Sequence, residues 1–205
     1  VLLERGADIN KADNDRATPL IIASQRGHVE VARILVDGGA DINKAANDGQ
    51  TPLWIASYNG HVEVAMILVD GGADINKAAN EGATPLSTAS LNSHVEVVRI
   101  LIERGADINN ADNDGASPLF AASYMGHVDV VRILAERGAG INKAINDGTT
   151  PLYIASEKGH VEVVRVLVER GADINMATNT GATPLYIASL QGYGEVVRVL
   201  AERGA

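Results

Sequence analysis

The sequence predicts an all-α solenoid in which short helix–turn–helix repeats stack side by side and carry β-hairpin-like fingers. A Thr-Pro-Leu triplet, with Ser for Thr once, recurs every 33 residues, and two short apolar segments follow each triplet. A fixed period of this length indicates one supersecondary motif stacked many times. The triplets contain all six prolines of the chain, Pro19, Pro52, Pro85, Pro118, Pro151 and Pro184.

The period divides the chain into a single array of repeats. The array consists of a partial repeat at 1–12 and repeats at 13–45, 46–78, 79–111, 112–144, 145–177 and 178–205. The sequence starts and stops inside this pattern without a distinct polar capping repeat, so we expect a longer array around it. The near-identity of the repeats is compatible with natural duplication and with consensus-style engineering.

Each repeat is expected to begin with a finger turn followed by helix A. In the repeat at 46–78, the Asn-Asp-Gly tripeptide at 47–49 predicts a turn, because glycine adopts positive φ without steric cost. Thr51 and Pro52 predict an N-cap and the first helical residue, since the hydroxyl accepts an orphan N–H and proline has none to lose. Gly60 predicts the end of this helix.

Helix B is predicted at 62–70, and residues 73–77 are expected to form an extended finger. In the equivalent helix at 29–37 only Glu30, Arg33 and Asp37 are polar, so helix B is predicted to be buried on most sides. Neither helix reaches the about 12–15 residues that an isolated helix needs, so each must gain stability from its neighbours.

Helix A is predicted to bury one face, which contains Leu20 and Ala23, and to leave another face open. A small residue recurs on the buried face and allows successive helix pairs to approach closely. These alanines are Ala23, Ala56, Ala89, Ala122, Ala155 and Ala188.

Composition excludes several function classes. The net charge of −9 argues against nucleic acid, because binding to phosphates requires Lys and Arg to replace counterions. No apolar run is long enough for a transmembrane helix, so no membrane partner is expected. The chain has no cysteine, which excludes disulfides, thiolate nucleophiles and Cys-based zinc sites. We expect an intracellular, cytoplasmic monomer without a cofactor, whose partners are proteins with basic and apolar residues.

The repeated motifs resemble the ankyrin repeat. The pattern is Asp-Gly-x-Thr-Pro-Leu-x-x-Ala, then Gly-His-x-Glu-Val-Val, then Gly-Ala-Asp-Ile-Asn, and residues 144–175 carry it almost completely. The resemblance extends over the whole chain. It implies a slightly curved stack of helix pairs with projecting fingers, and non-enzymatic protein recognition through the fingers and helix A, which form a concave groove.

Positions that differ between near-identical repeats are the candidates for specificity, because the scaffold does not dictate them. The first slot follows the triplet and holds Ile21, Trp54, Ser87, Phe120, Tyr153 and Tyr186. The second slot lies four residues later and holds Gln25, Tyr58, Leu91, Tyr124, Glu157 and Leu190. The third slot follows directly and holds Arg26, Asn59, Asn92, Met125, Lys158 and Gln191.

Six of the seven aromatic residues occupy the first two slots. Residues four apart share a helix face, so Trp54 with Tyr58 and Phe120 with Tyr124 are predicted to lie side by side. Exposed aromatics of this kind form binding hot spots. The alternative is that first-slot side chains pack between repeats.

The fingers add a line of acidic residues, Asp15, Asp48, Glu81, Asp114 and Asp147, with Thr180 in the last repeat. An acidic rim beside an aromatic groove favours a partner with basic and apolar residues. The alternative is that these residues serve turn formation and solubility. The predicted partner-binding residues are Trp54, Tyr58, Asn59, Leu91, Phe120, Tyr124, Met125, Tyr153, Glu157 and Tyr186, with Asp48, Asp114 and Asp147 of the fingers.

The recurrent histidines do not predict a metal site. Stacked helices lie about 8–10 Å apart, whereas nitrogen ligands lie about 2.0–2.1 Å from zinc, so histidines one repeat apart cannot share an ion. We interpret them as residues that link helix A to helix B. These histidines are His28, His61, His94, His127 and His160. No nucleophile with a base, and no phosphate-binding loop, is present, so no enzyme activity and no catalytic residue is predicted.

The Asp-Ile-Asn asparagines resemble those that are hydroxylated in some members of the family, which would make a modifying enzyme a partner. The alternative is hydrogen bonding within the finger hairpin. These residues are Asn10, Asn43, Asn76, Asn109, Asn142 and Asn175.

Four departures from the pattern predict local weakness. Arg16 and Ser93 replace glycines, which predicts strain if positive φ is needed there. Gly140 replaces the finger aspartate, and Tyr193-Gly194 replaces His-Val at the start of the last helix B. The third and last repeats are predicted to be the least stable.

The sequence leaves two functions open. The first is a protein-recognition module whose binding surface includes Trp54, Tyr58 and Tyr124. The second is a structural spacer or elastic segment of a larger protein, which has no partner of its own and which the near-identity of the repeats favours.

Overall fold

The computed structural model describes residues 6–204, which form two compact units that divide between Asp107 and Ile108. Residues 1–5 of the predicted partial repeat and Ala205 of the last repeat lie outside the described residues. The single array predicted over 1–205 and its repeat boundaries stay predictions.

The described residues form twelve α-helices and no β-strand. The N-terminal unit contains α1 (Pro19–Arg26), α2 (Val29–Asp37), α3 (Pro52–Asn59), α4 (Val62–Asp70), α5 (Pro85–Leu91) and α6 (Val95–Glu103). The C-terminal unit contains α7 (Pro118–Met125), α8 (Val128–Glu136), α9 (Pro151–Lys158), α10 (Val161–Glu169), α11 (Pro184–Gln191) and α12 (Gly194–Glu202). None of these helices is long and apolar enough to cross a membrane.

Helices A and B form separate layers within each unit. In the N-terminal unit, α1, α3 and α5 pack side by side, and α2, α4 and α6 do the same behind them. In the C-terminal unit, α7, α9 and α11 form one layer and α8, α10 and α12 the other. This arrangement confirms the predicted all-α stack of helix pairs.

The start of every helix A follows the predicted capping chemistry. The side-chain oxygen of the residue before each proline accepts a hydrogen bond from the backbone N–H three residues later, at 3.1–3.2 Å. The capping residues are Thr18, Thr51, Thr84, Ser117, Thr150 and Thr183. The triplet therefore determines where helix A begins, because cap and proline both remove orphan N–H groups.

The triplet leucines from Leu20 to Leu152 and the alanine three residues after each triplet leucine form the buried face of helix A, while Leu185 of the last triplet is half-buried. Leu53, Leu119 and Leu152 are fully buried, and the six recurrent alanines have at most 2% of their surface exposed. The helices therefore approach closely, as the small side chains predicted.

The prediction that helix B is buried on most sides holds for α10 and is wrong for α2. Helix α10 packs between α8 and α12, and five of its residues are buried. Among the described residues, α2 packs against α1 and α4, and it buries only Ala32 and Leu35. Val31 and Ile34 are therefore about half exposed, at 46% and 51%.

The fingers are tight turns joined by single backbone hydrogen bonds. In the second finger, Ala46 N donates to Gln50 O at 3.0 Å and Gly49 N donates to Ala46 O at 3.1 Å. The next finger is attached to it, because Asn80 N donates to Asp48 O at 3.0 Å. The segment 73–77, predicted as extended, contains a turn that Lys77 N closes on Asp74 O at 3.2 Å.

The finger asparagines bind the next repeat, so the bond predicted within the hairpin was wrong. In the N-terminal unit, the Oδ1 atoms of Asn10, Asn43 and Asn76 accept hydrogen bonds from the backbone N–H 31 residues later, at 2.8–2.9 Å. Asn109 and Asn142 do the same in the C-terminal unit. These side chains join neighbouring repeats through backbone N–H groups, of which that of Gly140 is half-buried and the others are exposed.

Ion pairs lie along helix B and also join successive helices. Arg99–Glu96, Arg165–Glu162 and Arg198–Glu195 are i, i+3 pairs at 3.1–3.7 Å. Arg104 binds Asp70 of the previous repeat, and Arg170 binds Glu136 in the same way. All are partly exposed, so each contributes little to stability.

Both substituted glycine positions have the strain that the sequence predicted. Arg16 has φ 63° and Ser93 has φ 61°, in the left-handed region that non-glycine residues avoid. The Arg16 finger keeps the shape of the other fingers, because Arg16 N donates to Asp13 O at 3.1 Å. The prediction that the third and last repeats are the least stable stays a prediction.

Replacing Ser93 with glycine is expected to stabilise the chain. The left-handed conformation costs a non-glycine residue about 1–2 kcal/mol, and the larger entropy of unfolded glycine offsets part of the gain. We expect Ser93→Gly to raise the free energy of unfolding by about 0.5–1 kcal/mol in urea titrations followed by circular dichroism. Ser93→Ala, which keeps the Cβ, should give no such increase, and equal stabilisation by both variants would contradict the explanation.

Gly140 is a second position where one substitution should stabilise the fold. At the equivalent positions the carboxylates of Asp41, Asp74 and Asp173 accept the backbone N–H two residues later, at 2.9–3.1 Å. Gly140 has no such carboxylate, and it does not adopt positive φ.

Gly140→Asp should therefore raise the free energy of unfolding by about 0.5–1.5 kcal/mol, from the added hydrogen bond and the reduced freedom of the unfolded chain. A Cβ there would lie 3.3 Å from the Lys143 Cβ, which needs only a small shift. Gly140→Ala isolates the backbone part. An aspartate variant no more stable than the alanine variant would show that the carboxylate makes no useful bond.

Candidate functional site

The first slot of helix A is only partly available to a partner. Ile21, Ser87 and Phe120 are buried, Trp54 and Tyr153 are half-buried, and Tyr186 is 59% exposed. Packing therefore takes up much of this slot, as the alternative interpretation held. Of the predicted Phe120–Tyr124 pair, only the Tyr124 ring is exposed.

The second and third slots are more open. Tyr58, Tyr124, Leu91 and Met125 are exposed at 37–47%, and Leu190 is 66% exposed. Asn59 is exposed as well, and Glu157 is half-buried. Each unit therefore presents aromatic, aliphatic and polar side chains of helix A on its surface.

Trp54 links packing and surface in the N-terminal unit. Its indole Nε1 donates a hydrogen bond to Ala83 O of the next finger at 2.9 Å, which fixes the ring. The Tyr58 ring stacks on it, with centroids 5.5 Å apart and planes 8° apart. The side-by-side pair predicted by the i, i+4 spacing is therefore formed.

Two hollows border this ring pair. The Trp54 hollow, of 410 Å³, lies between two fingers and is lined by Asp48, Gln50, Trp54, Ala79, Asn80, Glu81 and Ala83. The Tyr58 hollow, of 340 Å³, is lined by Gln25, Gln50, Trp54, Ile55, Tyr58 and Asn59. Trp54 and Gln50 belong to both, so the two hollows adjoin across the indole ring.

In the C-terminal unit, a lysine of the chain itself lies over an exposed aromatic ring. The Lys158 Nζ lies 5.1 Å from the centroid of the Tyr124 ring and 3.4 Å from a carboxylate oxygen of Glu157. Partial burial raises the pKa of Tyr153, with the nearby carboxylates of Glu157 and Asp147 as smaller causes. Lys158 thus connects Tyr124 with Glu157, and the carboxylates of Glu157 and Asp147 both act on Tyr153.

The finger carboxylates serve turn chemistry and remain exposed. Asp48 Oδ1 accepts from Gln50 N at 3.0 Å, and Asp147 Oδ1 accepts from Thr149 N at 2.8 Å. The hydroxyl of Thr149 is the largest cause that lowers the pKa of Asp147, followed by the Thr149 N–H. Asp114 is exposed at the equivalent position of its finger. Both interpretations of the acidic line are therefore compatible with the structure.

The histidines link neighbouring repeats. The Nε2 atoms of His61, His94 and His160 lie 2.9–3.1 Å from the backbone oxygens of Gln25, Tyr58 and Tyr124, near the end of the preceding helix A. Within residues 6–204, no group of three His, Cys, Asp or Glu side chains could hold a metal ion. The predicted linking role is confirmed, and it extends from one repeat to the next.

The sequence reasoning missed Gln50 and Ala83 as components of a site, and it counted Glu81 only in the acidic line. Glu81 and Ala83 join Trp54 because the following finger folds back against helix α3, whereas Gln50 directly precedes the N-cap of α3. The other fingers have Ala or Thr at the position of Gln50. This difference between repeats is the one signal in the sequence that could have pointed to Gln50. Leu91 lies on α5 of the same unit, outside the linings of both hollows.

The comparisons with known proteins agree with this architecture. The family model for ankyrin repeats matches residues 1–79, 72–147 and 141–205. The chain belongs to the ankyrin repeat family. Ankyrin repeats generally mediate protein–protein interactions and are generally not enzymes. No curated protein matches the chain.

The Thr149 hydroxyl makes a testable contribution in the fifth ankyrin repeat. We expect Thr149→Val to raise the pKa of Asp147, measured by NMR titration of the carboxyl carbon, while Thr149→Ser keeps it low. The folded pKa of Asp147 lies below the ordinary aspartate value of 3.8. The ionised carboxylate therefore stabilises the fold above that pH, and its contribution is lost as the pH falls through the folded pKa. An unchanged titration in the valine variant would exclude the hydroxyl as the cause.

Proposed function

We propose that this chain is a protein-recognition module that binds its partner through helix A and the fingers. The stacked Trp54–Tyr58 pair between two hollows is the observation that supports this best. Aromatic rings held rigidly at a surface gain contact area at little cost in side-chain entropy, which is typical of binding hot spots. The general role of ankyrin repeats agrees with this assignment.

The charge of this surface favours a partner with basic and apolar residues. Asp48, Asp114 and Asp147 are exposed on the fingers, and Tyr58 and Tyr124 are exposed on helix A. The net charge of −9 favours the same kind of partner and disfavours nucleic acid. The proposal includes a monomeric state and an intracellular location, both expected from the sequence.

The alternative, a structural spacer without a partner on this stretch, makes a different prediction. A spacer needs only its packing, so its exposed variable residues could be truncated without consequence. The ring pair and its hollows are unnecessary for that role, because Tyr58 is 47% exposed and contributes little to the core.

An affinity-capture experiment with surface variants tests the function. The whole chain, the Tyr58→Ala, Tyr124→Ala variant and an Ile34→Ala, Met66→Ala control are immobilised and exposed to extract of the source cells. The control removes two exposed apolar side chains from helix B. Circular dichroism establishes that all three proteins are folded.

We expect at least one protein to be captured by the wild type and by the control, and its amount to fall at least tenfold with the tyrosine variant. The loss follows from removing two aromatic contacts, since hot-spot truncations cost about 2 kcal/mol or more. Capture that is equal for all three proteins, or absent from all three, contradicts recognition through helix A and supports the spacer.

A further inference from the structure

The Trp54 hollow combines an aromatic ring with carboxylates from two different fingers. Asp48 and Glu81 lie on successive fingers, and both line the hollow together with Trp54. The finger that carries Glu81 is held in place twice, because Asn80 N donates to Asp48 O at 3.0 Å and Ala83 O accepts from the Trp54 indole at 2.9 Å. Asp48 is oriented in turn by the Gln50 N–H. The negative charges and the ring are therefore preorganised at one cavity.

This combination suits a planar cation. A guanidinium group stacks on aromatic rings, forms paired hydrogen bonds with carboxylates and is more weakly hydrated than an ammonium group. A lysine ammonium could bind either carboxylate as a point charge, but it would gain less from the flat wall of the cavity. An arginine side chain therefore matches the hollow best among the basic residues.

The C-terminal unit contains an internal precedent for a cation at such a ring. There Lys158 lies over Tyr124, which occupies the same repeat position as Tyr58. The residue of the N-terminal unit that is equivalent to Lys158 is Asn92, which is uncharged and donates its amide to Thr88 O at 2.9 Å. The Trp54–Tyr58 pair therefore provides the aromatic rings, but the position that Lys158 occupies beside Tyr124 is held here by the uncharged amide of Asn92.

The neighbouring Tyr58 hollow suits the main chain of a bound peptide. Gln25, Gln50 and Asn59 place carboxamide groups around the Trp54–Tyr58 pair. Carboxamides both donate and accept hydrogen bonds, as peptide groups require. Because the two hollows adjoin at Trp54, a short extended segment could occupy both.

We propose that the N-terminal unit recognises an arginine of its protein partner, with the guanidinium in the Trp54 hollow between Asp48 and Glu81. The peptide groups next to this arginine lie in the Tyr58 hollow. This inference rests on the proposed function and names the chemical group that the surface of helix A and the fingers selects in the N-terminal unit.

The test starts from a random heptapeptide library selected on the immobilised whole chain. Trp54 is the only tryptophan, so a change in its fluorescence identifies the peptides that bind at this site. We expect these peptides to be enriched in arginine over lysine at one position. The tightest peptide is then synthesised with arginine and with citrulline, which has nearly the same shape without the charge.

Citrulline should weaken binding at least tenfold, because charge-assisted hydrogen bonds are lost. Asp48→Asn with Glu81→Gln should weaken the arginine peptide by a similar factor, since asparagine can still accept the Gln50 N–H and keep the turn. The control Glu30→Gln with Glu63→Gln removes the same charge from exposed positions of helices α2 and α4, outside the lining of the hollow. It should change the affinity less than twofold.

Three kinds of result would overturn the inference. Trp54-responsive peptides without an arginine preference, or peptides that tolerate citrulline, contradict arginine recognition and leave the proposed function standing. Equal weakening by the two pairs of charge variants shows a long-range charge effect in place of a site. A selection without binding peptides, or one whose peptides all bind the Tyr58→Ala, Tyr124→Ala variant normally, contradicts both the inference and the proposed function.

Discussion

Every described helix has seven to nine residues, fewer than the about 12–15 that an isolated helix requires in water. Contact with the neighbouring repeat is therefore the condition on which the rest of the structure depends. The contact has an apolar part, from the triplet leucines and recurrent alanines, and a polar part, from asparagine side chains that accept N–H groups 31 residues away. The histidines add a third link to the preceding helix A. These links repeat in the same register within each unit, so both units use the same packing.

This constraint also determines where function can evolve. Some residues contact the next repeat, and other residues occupy the helix A positions that differ between repeats and lie largely at the surface. Trp54 belongs to both groups, because its indole N–H binds the next finger while its ring borders two hollows. Such double use holds an aromatic side chain rigidly at the surface, and rigid contacts lose little entropy on binding. Tyr124 differs from Trp54, because Lys158 of the same chain lies over its ring.

Local chemistry predicted the fold well, and long-range contacts account for the errors. Thr51 and Pro52 begin helix α3 as expected, because capping involves residues within one turn. The same reasoning identified Ser93 as a strained position. It failed for Val31 and Ile34, because the burial of helix B depends on which helices flank it. It also assigned the finger asparagines to their own hairpin, although their partners lie one repeat later.

The sequence by itself determined the period, the helix boundaries, the family and the positions that vary, because all of these depend on residue types at fixed short spacings. Only the tertiary structure decided which variable residues share a site. Asp48, Trp54 and Glu81 meet because the finger of one repeat folds against helix A of the one before it. Phe120 and Tyr186 occupy the same sequence slot, yet one is buried and the other exposed. Burial is set by what packs on a residue, and that depends on neighbours in space as well as on position in the repeat.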